Sequence, residues 1–171
     1  MGKQKLIKRL KSYYPLERFH AFITFPAIML YVLYHHTFKD VIFLLYGLGV
    51  VIFILIQGQH YWKLKLYRLL NKPFDQIQNL KLFRKAKTIN FYLMALIPIV
   101  FLFQLYINEW SIIPENLMNW AVVANVFGVL AHINYYHRQL MVDNQSDVKF
   151  LMTNKKLKVA SLAKDLDENQ F

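Results

Sequence analysis

Six polar side chains stand in or beside runs of Leu, Ile, Val and Phe: His20, Thr24, Gln57, His60, Asn90 and His132. Imidazole suits transition metals, and two histidines on facing helices can hold a haem iron axially. His132 with His20 or His60 is the candidate pair for that chemistry. Without an ion, the same residue types make a hydrogen-bonded network that fixes helix register. A third use of such groups is a polar path for ions or protons.

Two of these residues sit in similar settings. The stretch "QGQHYWKLKLYR" (57–68) ends one apolar run, and "AHINYYHRQ" (131–139) ends another. Each passes from apolar residues to His, then to a pair of aromatics, then to basic side chains. His132 and His137 have a spacing similar to one histidine box of the membrane di-iron desaturases and hydroxylases. Those sites need about three boxes facing one side. Here the other adjacent pair, His35 and His36, falls at the opposite end of its run.

Other chemistries are excluded outright. The chain has no Cys, so disulfides, thiolate nucleophiles and Cys-based metal centres are absent. No His-Glu-x-x-His, Gly-x-Ser-x-Gly or phosphate-loop pattern occurs. Asp and Glu are missing from the interiors of the apolar runs, which speaks against a carboxylate-based proton pump.

The elements that carry these residues follow from length and hydropathy. In 171 residues, 56% are hydrophobic, too apolar for an ordinary soluble domain. Four runs, about 18–36, 41–62, 88–107 and 116–136, are each long enough to cross a bilayer as a helix. The expected fold is an all-α membrane protein: one domain, four transmembrane helices in a bundle, tails at 1–17 and 137–171.

The net charge of +11 sorts by segment. Of 21 basic residues, 20 lie in the N-terminal tail, the connection between runs two and three, or the C-terminal tail; Lys39 alone does not. The positive-inside rule then places both termini in the cytoplasm. Trp110 and Trp120 mark one interface, and Tyr61, Trp62, Tyr135 and Tyr136 the other. Anionic lipid at the cytoplasmic face is the expected partner of the excess charge, in place of nucleic acid. Low Gly with many Lys, Ile and Asn suggests a bacterial inner membrane.

Short cytoplasmic elements are predicted around the spans. "KQKLIKRLKSYY" reads as a basic helix lying in the interface and stopped by Pro15. "FDQIQNLKLFRK" reads as a second, with Phe74, Ile77 and Leu80 on one face. "ASLAKDLDEN" reads as a last helix capped by Ser161.

Spacing predicts which faces are buried. The polar stripes are His20, Thr24, Ala27 and Tyr31; Tyr46, Val50, Phe53, Gln57 and His60; Asn90, Ile97, Gln104 and Asn108; and Asn125, His132 and Tyr136. Run four adds a seam of small residues, Ala121, Ala124, Gly128 and Ala131, that admits a neighbouring helix closely. It is therefore expected to be the most buried helix, packed within the bundle or against another protomer.

Pro26 and Pro98 fall at similar depth and should kink their helices, freeing the carbonyls of Phe22 and Met94. A shift of 74 residues lays Phe53 on Phe127 and Tyr61 on Tyr135; a shift of 72 lays Pro26 on Pro98 and Leu30 on Leu102. The pattern is that of two similar helical hairpins.

The composition leads to a non-enzymatic membrane subunit, scaffold or effector that assembles in the bilayer, alone or as an oligomer. A small channel or transporter, and a haem- or metal-bearing redox subunit, remain as alternatives.

Overall fold

The computed structural model describes residues 2–142 and 144–170. The helices are α1 (Lys3–Phe19), α2 (Phe25–His35), α3 (Phe38–Leu69), α4 (Gln76–Ile107), α5 (Met118–Tyr136), α6 (Gln145–Asn154) and α7 (Ser161–Asp167). A π-helical turn, His20–Thr24, joins α1 to α2. No strand occurs among the described residues; Arg138 and Val159 form one isolated antiparallel bridge. Four helical stretches are long and apolar enough to cross a membrane: Lys3–His35, Phe38–Leu69, Gln76–Ile107 and Pro114–Tyr136.

Local signals set the helix ends. Asp75 caps α4, its side chain accepting from the Gln78 amide at 2.8 Å. Asn144 does the same for α6 through the Asp147 amide at 3.0 Å. Asn71, Glu109, Trp110 and Leu117 adopt left-handed backbone in the turns between the long helices.

The interfacial helices expected before spans one and three are not separate elements. Pro15 lies inside α1, and helix continues from Lys3 to His35 through the π turn. Proline removes one backbone bond, but Leu10 buried on one side of it and Glu17 bonded on the other keep the chain helical. The "FDQIQNLKLFRK" segment likewise supplies the first turns of α4. Its supposed apolar face is split, with Leu80 buried and Ile77 exposed. A 32-residue helix is roughly 48 Å long, whereas a hydrocarbon core is about 30 Å. The long helices therefore outrun the predicted spans at their basic ends.

The bundle is organised about α3, which packs against α1–α2, α4 and α5. The expectation that the fourth span is most buried is corrected: a larger share of α3 is buried, and α5 leaves Trp120, Val123 and Val126 exposed. The small-residue seam does work within the bundle. Ala121, Ala124, Gly128 and Ala131 are all buried, and Gly128 lies against Val50 and Val51 of α3. The facing glycine on α3 is Gly47, where a Cβ would stand 2.6 Å from Asn125 Nδ2 and 2.9 Å from its backbone nitrogen.

The two prolines differ in setting. Pro26 comes just after the π turn, in which the Phe25 amide bonds to the His20 carbonyl, while Pro98 stands inside the continuous helix α4. A π turn adds a residue to the helical repeat and so rotates the helix beyond it.

Past α5 the chain folds back. The Gln139 amide bonds to the Lys158 carbonyl at 2.9 Å, and the Ala160 amide to the His137 carbonyl at 3.1 Å. Asp147, buried at the start of α6, accepts from Lys158 at 2.6 Å and from Gln139 at 2.8 Å. Helix α7 then returns, and Leu162 and Leu166 join the core around Tyr61, Phe83 and Tyr136. Ser161 is not its cap but its first residue, next after Ala160.

Gly47→Ala should destabilise the protein by about 1–3 kcal/mol, because the backbone it strikes cannot move cheaply. Gly49→Ala, with nothing within 4 Å of the new methyl, should be neutral or gain up to about 1 kcal/mol. Unfolding in detergent reads both, and equal effects would contradict the α3–α5 contact.

Burial alone pushes the Asp147 carboxyl up, but the bond and charge of Lys158 outweigh it and hold the group below its usual range. A depressed carboxylate lends stability above its unfolded value, lost as pH falls through the folded one. Protection of the first α6 amides should therefore drop below about pH 4. In Lys158→Met much of that dependence should disappear.

Candidate functional site

Gln57 of α3 and Asn90 of α4 form a reciprocal amide pair. Gln57 Nε2 donates to Asn90 Oδ1 at 3.0 Å, and Asn90 Nδ2 donates to Gln57 Oε1 at 2.8 Å. Gln57 Nε2 also donates to the Phe53 carbonyl at 3.0 Å, and Gln57 Oε1 accepts from the Tyr136 hydroxyl at 2.7 Å. All four bonding positions of the Gln57 amide are thus used. Asn90 is fully buried, so three helices are joined where water has no access.

The other members of the expected cluster go elsewhere. His132 is buried and stacks on Tyr136 with ring centres 5.0 Å apart, while its Nδ1 has no partner. His60 donates from Nε2 to Asn79 Oδ1 at 2.7 Å and leans on Phe83. His20 is paired locally with Thr24 at 3.1 Å. The stripe containing them is not an inward face, since Tyr31 is 65% exposed. The π turn instead carries the inward line to Ala21, Phe25, Met29 and Val32. Among the described residues, no group of three His, Asp or Glu could hold a metal ion. His20, His60 and His132 each have a different neighbourhood.

At the other end of the bundle, the stripes of α4 and α5 bear on the backbone of α3. Gln104 accepts from the Phe43 amide at 3.0 Å and donates to the Lys39 carbonyl at 2.8 Å. Asn125 donates to the Phe43 carbonyl and to its own Ala121 carbonyl, both at 2.9 Å. Two side-chain amides therefore clamp the first turns of α3. His36 is at this end too, with Nδ1 2.9 Å from the Glu115 carbonyl oxygen.

The aromatics expected to mark the basic-side interface point inward instead. Tyr61, Tyr135 and Tyr136 are buried. Tyr61 donates to Asp165 of α7 at 2.5 Å, and Lys65 donates to Tyr61 at 2.9 Å while pairing with Asp165 at 3.7 Å. Ser161 bonds to the same tyrosine. Tyr135 and the Trp62 indole both donate to Glu17 Oε1, at 2.5 and 2.9 Å. The two runs end alike in this respect: each aromatic pair supplies donors to oxygens inside the bundle, Tyr61 to Asp165, Trp62 and Tyr135 to Glu17, and Tyr136 to Gln57.

Glu17, Asp165 and Gly58 were not foreseen as site residues. Glu17 lies one residue before the predicted first span, among lysines, and its only signal was to be the single acid there. A Cβ at Gly58 would stand 2.4 Å from the Tyr135 hydroxyl and 2.8 Å from Glu17 Oε2, so glycine is what admits both. Below this level burial pushes the His137 imidazole down, and the Lys87 charge adds to the shift.

Gln57→Leu or Asn90→Leu alone should cost about 1–3 kcal/mol by orphaning a buried partner. The double replacement should cost less than the sum, as a double-mutant cycle would read. His132→Phe keeps the stack and loses no hydrogen bond made here, so it should change stability by less than about 1 kcal/mol.

No protein-family model matches the chain, and no curated protein or solved structure shows significant similarity to it.

Proposed function

We propose that this chain is a non-enzymatic subunit, scaffold or effector of a bacterial inner membrane, acting through assembly in the bilayer. The observation that carries the reading is where the polar groups go. Gln57, Asn90, Tyr136, Gln104 and Asn125 are engaged with one another or with backbone, while α2, α4 and α5 present long apolar faces outward. Leu30, Leu33, Ile99, Phe103, Val123 and Phe127 are among the side chains so exposed. Lipid and a second membrane-embedded chain, a copy or a partner, are the surfaces that match them.

The same reading places both termini and the α3–α4 turn in the cytoplasm, because the basic ends of α1, α3 and α4 lie together. Lysines at that level meet anionic headgroups. The likeness of the two hairpins belongs to this proposal as a duplicated design.

The chain lacks Cys, so single cysteines report topology cleanly. Asn71→Cys should react with an impermeant thiol reagent only in inverted vesicles, and Ile112→Cys only in intact cells. Labelling of Asn71→Cys from outside would sink the topology. For the role itself, crosslinking in native membranes with subsequent mass analysis should give one defined homo- or hetero-complex. A monomer that conducts ions in liposomes would favour the channel alternative, and stoichiometric metal or a haem absorption band the redox one.

A further inference from the structure

A carboxyl buried where three helices meet stands out from the paired amides above it. Glu17 Oε1 takes two hydrogen bonds, from Tyr135 of α5 and Trp62 of α3. Its Oε2 is buried with no partner and faces the backbone of α3 at Gly58.

Among the described residues, no cation offsets this carboxyl. Arg18, next in sequence, is exposed and donates to Tyr14. Lys65, on the neighbouring turn of α3, is committed to Asp165 and Tyr61. The groups facing Glu17 are thus the neutral donors Trp62 from α3 and Tyr135 from α5, Tyr135 alone being titratable. An anion buried without a counter-charge is expensive, and two donors on one oxygen repay it only in part. Glu17 is at the basic end of its helix, one residue before the apolar run begins, where water protons can reach it.

The carboxyl sits beside a weak point in its own helix. Three residues after Glu17 the chain enters the π turn, where bonding passes to the i→i+5 pattern. Pro15 removes a backbone donor two residues before it. The segment bearing Glu17 is therefore flanked by two interruptions of the regular ladder.

We propose that Glu17 is a proton-binding site that seats the N-terminal helix. With a proton on the carboxyl, α1 lies against Gly58, Trp62 and Tyr135. When the carboxylic acid gives its proton to water, the charge on the resulting carboxylate draws hydration, and α1 loosens about the π turn. This goes beyond the assembly reading and does not depend on it, since a scaffold, a channel or a subunit could each carry such a site.

The test uses the full chain in lipid nanodiscs. Infrared difference spectra across pH should show a protonated-carboxyl C=O band that vanishes as pH rises, and Glu17→Gln should abolish that change. Spin labels at Lys5→Cys and Asn71→Cys should separate over the same pH range in the parent and stay fixed in Glu17→Gln. Tyr135→Phe guards against a variant that fails to fold. It removes a donor that bonds the carboxylate more strongly than the acid, so the transition should move up by about one to two pH units. A band that persists in Glu17→Gln overturns the site. A label distance that ignores pH, or a Tyr135→Phe transition that stays in place, overturns the coupling to α1 or the assigned bond. Uniform loss of stability at every pH in both variants would make the contact purely structural and overturn the proposal.

Discussion

Close approach of α3 and α5 is the contact on which the rest of the structure depends. Gly47 admits Asn125, Gly128 admits Val50, and Ala121, Ala124 and Ala131 keep the remaining seam thin. At that separation α3 can bury a whole face, and its neighbours pack around it as around a post. Close packing along such a seam depends on residues without bulk as much as on those with it, because helix backbones can approach only where side chains are small.

Polar groups then fix what packing alone leaves free. A seam of small residues tolerates sliding by a turn, whereas an amide pair does not. Gln57 and Asn90 hold α4 to one register, with Tyr136 adding α5. Gln104 and Asn125 repeat the device on the backbone of α3 near its other end. Specificity is thus distributed along α3, with α4 and α5 each reaching it near both ends.

The basic end is built differently. Glu17 and Asp165 are each met by a tyrosine hydroxyl, and the Tyr61 and Trp62 rings lie against each other at a tilt, with centres 5.0 Å apart. The tail contributes through α7, whose leucines complete the core while Asp165 receives Lys65 and Tyr61. What looks in sequence like a loose cytoplasmic tail closes one end of the bundle. The same end carries the unpaired carboxyl oxygen, where a change of charge has the most to act upon.

The sequence by itself determined the four long helices and most of their inward faces. Four apolar runs dictated four long helices, and seven-residue spacing put Asn90, Gln104, Asn125 and His132 on buried lines, because a helix repeats every 3.6 residues whatever surrounds it. Gly128 and its alanines were legible for the same reason. Only the tertiary structure decided which lines meet. Gln57 found Asn90, but His20, His60 and His132 parted, because the π turn rotated the first helix and Asn79 captured His60. Pro15 could not be read as part of a helix, since the contacts that keep it helical come from residues far along the chain. The burial of Glu17 was illegible for the same reason. Its partners are 45 and 118 residues away, and a local pattern carries no information about separations of that size.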